Sequence, residues 1–105
     1  MTSLPYRLRD AARRDVIDIL DHYVDEGAEA SAYGFLGALA GAYATITEYP
    51  AIGSGRHGEA AGIEGLRTWP VAGFPFLVCY VHKNDEIDVW RVLHMRRDVP
   101  GTLAP

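Results

Sequence analysis

Cysteine is almost missing: the chain has one thiol, Cys79, in 105 residues. A lone cysteine excludes an internal disulfide framework and a cysteine-based zinc site. Cys79 lies in an apolar run and is expected to be a buried thiol, which fits a reducing compartment. Long hydrophobic runs are missing too. The most apolar window, Ala28 to Ala44, contains Glu29 and several glycines and tyrosines, and it is too short and too rich in small residues for a membrane span. The opening MTSLPYRLRD lacks the roughly 7–15-residue apolar core of a signal peptide. A cytoplasmic protein with no membrane partner is expected. Positive charge is missing from the middle of the chain, where Asp15 to Gly55 holds seven acidic residues and no Lys or Arg. With a net charge of −4, strong non-specific nucleic-acid binding is not expected, because phosphate contacts supply that affinity.

What is present suits one small globule. Hydrophobic residues make up 49% of the chain, as a folded core requires, and the length fits one domain over residues 1–105. Tyr6 and Leu8 alternate with Arg7 and Arg9, the mark of a strand with one buried face. Asp10 is placed to cap a following helix. In that helix Ala12, Val16, Ile19, Leu20, Tyr23 and Val24 form one stripe, with Asp15, Asp18, Asp21 and Asp25 mostly off it. Gly27 can take the left-handed conformation that ends a helix. A second helix is expected from about Ala28 to Glu48, packed through Tyr33, Leu36, Ala40, Tyr43 and Ile46. Its internal glycines, Gly34, Gly37 and Gly41, each cost roughly 1 kcal/mol, and close approach to the first helix is the expected offset. The two helices form an antiparallel hairpin.

Ala51 to Gly65 has five glycines and no periodicity and is expected to be a surface loop. Its Gly53-Ser54-Gly55 lacks the Gly-Lys-Ser/Thr of a phosphate loop. Leu66–Val71, Phe74–Val81 and Ile87–Leu93 read as three strands of an antiparallel meander, with a polar turn at Lys83–Glu86. The last run is expected to alternate Ile87, Val89, Arg91 and Leu93 against Asp88, Trp90, Val92 and His94. Trp69 and Trp90 are expected in the core. Arg67 and Arg91 could pair with Asp88, Asp98 or Glu64. Val99–Pro105 is a loose tail or a stub of helix. The first strand needs a late strand as partner. One sheet face is expected to stay partly open, a natural place for function. His22, His57 and His82 are too dispersed to suggest a metal site.

The β-α-α-β-β-β order, the Glu48-Tyr49-Pro50 helix end, the glycine-rich loop, Leu66-Arg67 and the terminal Arg91-Val92-Leu93-His94-Met95-Arg96-Arg97-Asp98 together resemble the RelE/ParE superfamily of bacterial type II toxins. The resemblance covers nearly the whole chain. It implies an α+β fold with a helical hairpin on a small, mostly antiparallel sheet. It also implies one of two activities: ribosome-dependent mRNA cleavage in RelE-like members, or inhibition of DNA gyrase by binding in ParE-like ones. Cleavage needs several cations around the phosphate and a proton donor. Gly62, Ile63 and Glu64 stand where RelE-like members carry lysines, and no aromatic hydroxyl lies near Leu103. The ParE branch is therefore favoured, without catalytic residues, metal or cofactor. A degenerate, non-toxic antitoxin partner is the remaining alternative.

The resemblance further implies a ParD-like antitoxin in a hetero-oligomer, with operator DNA reached only through that antitoxin. Arg67, Arg91, His94, Arg96 and Arg97 are the candidates for target contact. Asp15, Asp18, Asp21, Tyr23, Asp25 and Tyr33 are the candidates for antitoxin contact, with the aspartates as steering charges. On this reading the acidic hairpin lies opposite the basic end.

Overall fold

The computed structural model describes residues 3–104. A short strand, β1 (Tyr6–Leu8), leads into helix α1 (Asp10–Asp25) and helix α2 (Glu29–Glu48). A short helix, α3 (Arg56–Ala61), precedes the strands β2 (Leu66–Pro70), β3 (Phe76–Lys83) and β4 (Glu86–His94), and helix α4 (Val99–Leu103) follows. The sheet order is β1-β4-β3-β2. β1 runs parallel to β4, with Tyr6 opposite Ile87, and the other two pairings are antiparallel. This is the expected α+β architecture, with the first strand paired to the last.

Local chemistry sets the element ends. Asp10 is the first helical residue rather than the cap, and Arg9 occupies the cap position without a side-chain capping bond. Asp10 still favours the helix through the partial positive charge at its N-terminus. At the other end Gly27 adopts φ 73°. The Gly27 N–H donates to Val24 O (3.0 Å) and the Ala28 N–H to Tyr23 O (2.8 Å), a Schellman closure that turns the chain back into α2. Between β3 and β4, Asn84 and Asp85 have φ 54° and 58°. These are the two left-handed residues of a tight hairpin turn whose twist matches the strands.

The hairpin α1–α2 covers one sheet face. Phe35, Leu39, Tyr43 and Ile46 meet Val78, Tyr80, Ile87, Val89 and Val92 in the main core. The packed face of α2 differs from the expected stripe. Ala32, Phe35, Leu39, Ala42, Tyr43 and Ile46 are buried, whereas Tyr33, Leu36 and Ala40 face outward. Apolar residues lie on all sides of this helix, so spacing alone does not define its buried side. The glycines do not serve close helix approach either. A Cβ on Gly34 would meet Phe74 at 3.3 Å, and at Gly37 or Gly41 it would meet nothing within 4 Å.

The second sheet face is covered as well, contrary to expectation. The glycine-rich segment contains α3, which ends at Gly62 in the left-handed conformation. With α4 it closes a second core of Leu66, Cys79, Leu93, Val99 and Leu103, against which Ala61, Ile63 and Trp90 pack. Six residues around Gly58 are too few to show a helical period. Gly58 is required there, because a Cβ would collide with the Leu66 carbonyl oxygen. Trp69 packs against the main core. The Arg9 guanidinium lies 4.0 Å from the Trp90 ring centroid and bonds Asp88 at 2.9 Å.

Candidate functional site

The terminal run of β4 departs from simple alternation. Tyr80 pairs with Val89 and Cys79 with Arg91, so Trp90 is an extra residue on β4. Such a bulge shifts the side-chain phase by one. Val92 therefore joins Ile87 and Val89 in the main core, while Trp90 and Leu93 pack in the second one. Arg91 leaves the set it was expected to share and reaches α1. Its Nε and Nη2 donate to the Asp15 carboxylate at 2.7 and 2.8 Å. The same carboxylate accepts the Val92 N–H at 3.0 Å. The side chains of Arg91 and Asp15 keep only 26% and 12% of their exposure, and the hydrogen bond from Arg91 holds its proton even more firmly than usual. Arg91 and Asp15, expected on separate partner surfaces, are engaged with each other.

The rest of the basic end has a clear order. The backbone N–H of Arg96 donates to His94 Nδ1 at 3.0 Å, and the N–H of Arg97 donates to His94 O at 3.0 Å. The His94 ring meets Phe76 edge-on, centroids 5.4 Å apart. Asp98 caps α4 by accepting the Gly101 N–H at 3.1 Å, so it is not the partner of Arg67 or Arg91. Arg96 and Arg97 are exposed, and among the described residues neither forms an ion pair. They line an open groove of about 420 Å³ with His94, Phe76, Ile19 and Asp18.

Arg67 lies elsewhere. It sits on edge strand β2, separated from β4 by β3, and its Nη1 donates to Gly53 O at 2.7 Å. Tyr80 holds the same loop, its hydroxyl donating to Pro50 O at 2.7 Å and accepting from Gly53 N at 3.0 Å. Arg67 thus fastens a loop, and its pairing with Glu64 does not occur among the ion pairs present.

On the hairpin, Asp18, Asp21 and Asp25 are exposed along α1. Tyr23 is half-buried and packs among Phe35 and Phe74, with centroids 6.4 and 6.1 Å away. Tyr33 is 75% exposed and lines a cavity of about 360 Å³ between α1 and α2 with Leu20, Val24, Ala32 and Leu36. The candidate list missed Leu20, Val24 and Leu36 here, and Ile19 and Phe76 in the basic groove. A Leu or Phe reads as core in sequence, and only the packed phase of each element shows which ones stay outside.

A family model for the ParE toxin of the type II toxin–antitoxin system parDE matches residues 6–99. The chain belongs to the ParE toxin family. A solved structure, the chromosomal ParDE toxin–antitoxin system from P. aeruginosa, matches with a TM-score of 0.71 at 23% identity, covering 88% of this chain and 96% of that one. At that identity the match speaks for the fold. No curated protein sequence matches. Within this ParE-family chain the RVLHMRRD signature divides into roles. Arg91, Val92, Leu93 and Asp98 are occupied by structure, and Arg96 and Arg97 remain available.

Proposed function

We propose that this chain is a toxin that inhibits DNA gyrase by binding and is held inactive by a ParD-like antitoxin. Membership of the ParE family supports the toxin half of this reading. The observation that carries the binding mode is the exposed Arg96–Arg97 pair at the end of β4, held by the His94 turn and free of ion pairs among the described residues. Guanidinium groups without internal partners suit a contact surface for carboxylates or phosphates. The antitoxin half is supported by the hairpin. Its apolar cavity, lined by Leu20, Val24, Tyr33 and Leu36, adjoins a helix face carrying Asp18, Asp21 and Asp25. An amphipathic segment with basic flanks suits such a surface.

The test is to express the chain alone and follow growth, gyrase supercoiling in vitro and ribosome-dependent mRNA cleavage. Arrested growth with inhibited supercoiling and intact mRNA is expected. Cleaved mRNA would sink the gyrase reading, and unimpaired growth would point to a non-toxic antitoxin partner.

A further inference from the structure

The bulge at Trp90 sits where β4 loses its outer neighbour. β1 ends at Leu8, opposite Val89, and beyond that point no strand of the described residues lies on the outer side of β4. Core packing fixes the side-chain phase there, but an extra residue at an unpaired edge keeps backbone freedom unless polar groups tie it. Two sets of groups do so, one on each face. Toward α1, the Asp15 carboxylate takes Arg91 and the Val92 N–H. On the other face the holder is Arg9, the residue that joins β1 to α1. Its backbone N–H donates to Val89 O at 2.9 Å. Its Nε and Nη2 donate to the Asp88 carboxylate at 3.2 and 2.9 Å, and its guanidinium stacks on the Trp90 ring. Trp90 Nε1 donates to the same carboxylate at 3.1 Å. One side chain thus grips the bulged residue and the residue two before it, which needs a planar fork that binds both carboxylate oxygens while it stacks.

We propose that Arg9 is a positioning residue for the Arg96–Arg97 end of β4. By clamping the bulge on the outer face, it keeps Arg91 and the Val92 amide on Asp15. Through Val92 to His94 it also keeps the turn in which the N–H groups of Arg96 and Arg97 bond His94. Arg9 does not line the groove in which Arg96 and Arg97 stand, so it acts on a target only through them. The consequence for inhibition rests on the proposed gyrase reading.

The test is amide hydrogen exchange of the free chain, with gyrase inhibition measured alongside. In Arg9→Ala the amides of Val92, Arg96 and Arg97 are expected to exchange at least about tenfold faster, while those of Phe35 and Leu39 in α2 keep their rates. Arg7→Ala removes the looser β1–β4 ion pair, to Glu86 at 3.8 Å, and is expected to leave all these rates unchanged. Arg9→Lys keeps the charge without the planar fork and is expected to behave as Arg9→Ala; it decides alone if Arg9→Ala does not fold. Unchanged exchange at Arg96 and Arg97, equal acceleration in Arg7→Ala, or slow exchange restored by lysine overturns the proposal. In the supercoiling assay Arg9→Ala is expected to weaken inhibition by about fivefold or more and to add nothing in the Arg97→Ala background, because residues acting through one contact are not additive. Full additivity overturns the positioning role. The gyrase reading fails separately, when the wild-type chain leaves supercoiling intact, and the exchange rates then still decide the clamp.

Discussion

Asp15 accepts three hydrogen bonds from β4, two from the Arg91 guanidinium and one from the Val92 N–H. The bulge at Trp90 makes this possible, because it turns Arg91 toward α1 and leaves the Val92 amide to the carboxylate. Removing the carboxylate strands a half-buried cation and an amide donor at once. Asp15→Ala should therefore destabilise the fold by about 2–3 kcal/mol, read as a lower urea midpoint with an unchanged slope. Arg97→Ala removes an exposed side chain without an ion pair among the described residues and should move stability by less than about 0.5 kcal/mol, while the gyrase inhibition proposed above should fall. A large loss of stability in Arg97→Ala would show that this arginine has a structural partner. Both residues carry full charge in the sequence, and nothing there separates the occupied one from the free one. The separation depends on a one-residue insertion in β4 that alternation cannot register.

At the scale of elements, α2 gives the clearest contrast between sequence and structure. Its existence and its end at Tyr49-Pro50 follow from spacing and from the proline. Its orientation does not, because Tyr33, Phe35, Leu36 and Leu39 put apolar groups on several faces. The hairpin glycines follow the same logic. Gly37 and Gly41 have open space where a Cβ would lie, so they bear the helix cost of glycine without a packing return. Gly37→Ala and Gly41→Ala should each stabilise the chain by about 0.5–1 kcal/mol, measured by thermal or urea unfolding. A loss of stability in either variant would restore the close-approach reading. The short α3 escaped detection for a different reason. Its C-terminal stop, Gly62, is one of five glycines in the segment and does not stand out among them, and its packing against β2 and α4 is tertiary.

For the whole molecule, two cores back to back against one sheet leave little of the sheet open. Cys79 belongs to the second core, and burial pushes its thiol up to about 12 from an ordinary 9.0. Burial also raises the Tyr43 and Tyr80 hydroxyls. The folded chain keeps these protons at a pH where the unfolded chain releases them. Their contribution to stability is complete below about pH 9 and is lost as the pH climbs toward 12. The urea midpoint should accordingly fall from about pH 9 upward, and Cys79 should resist iodoacetamide at about pH 8 until the chain unfolds. Rapid alkylation of the native chain would place the thiol at the surface. No helix among the described residues is long and apolar enough to cross a membrane.

The sequence by itself determined the α+β class, the helical hairpin, the three-strand meander and the first strand's need for a late strand as partner. Each is written in local signals: periodicity, Gly27, the Asn84-Asp85 turn and the family signature around Arg91–Asp98. Only the tertiary structure decided which side of α2 is buried, that the second sheet face is closed by α3 and α4, and that Asp15 and Arg91 hold each other. It also brought Asp18 within one groove of Arg96 and Arg97. The physical reason is common to all four: each depends on what lies across the chain from a residue, and a period along the chain records only which neighbours share its face.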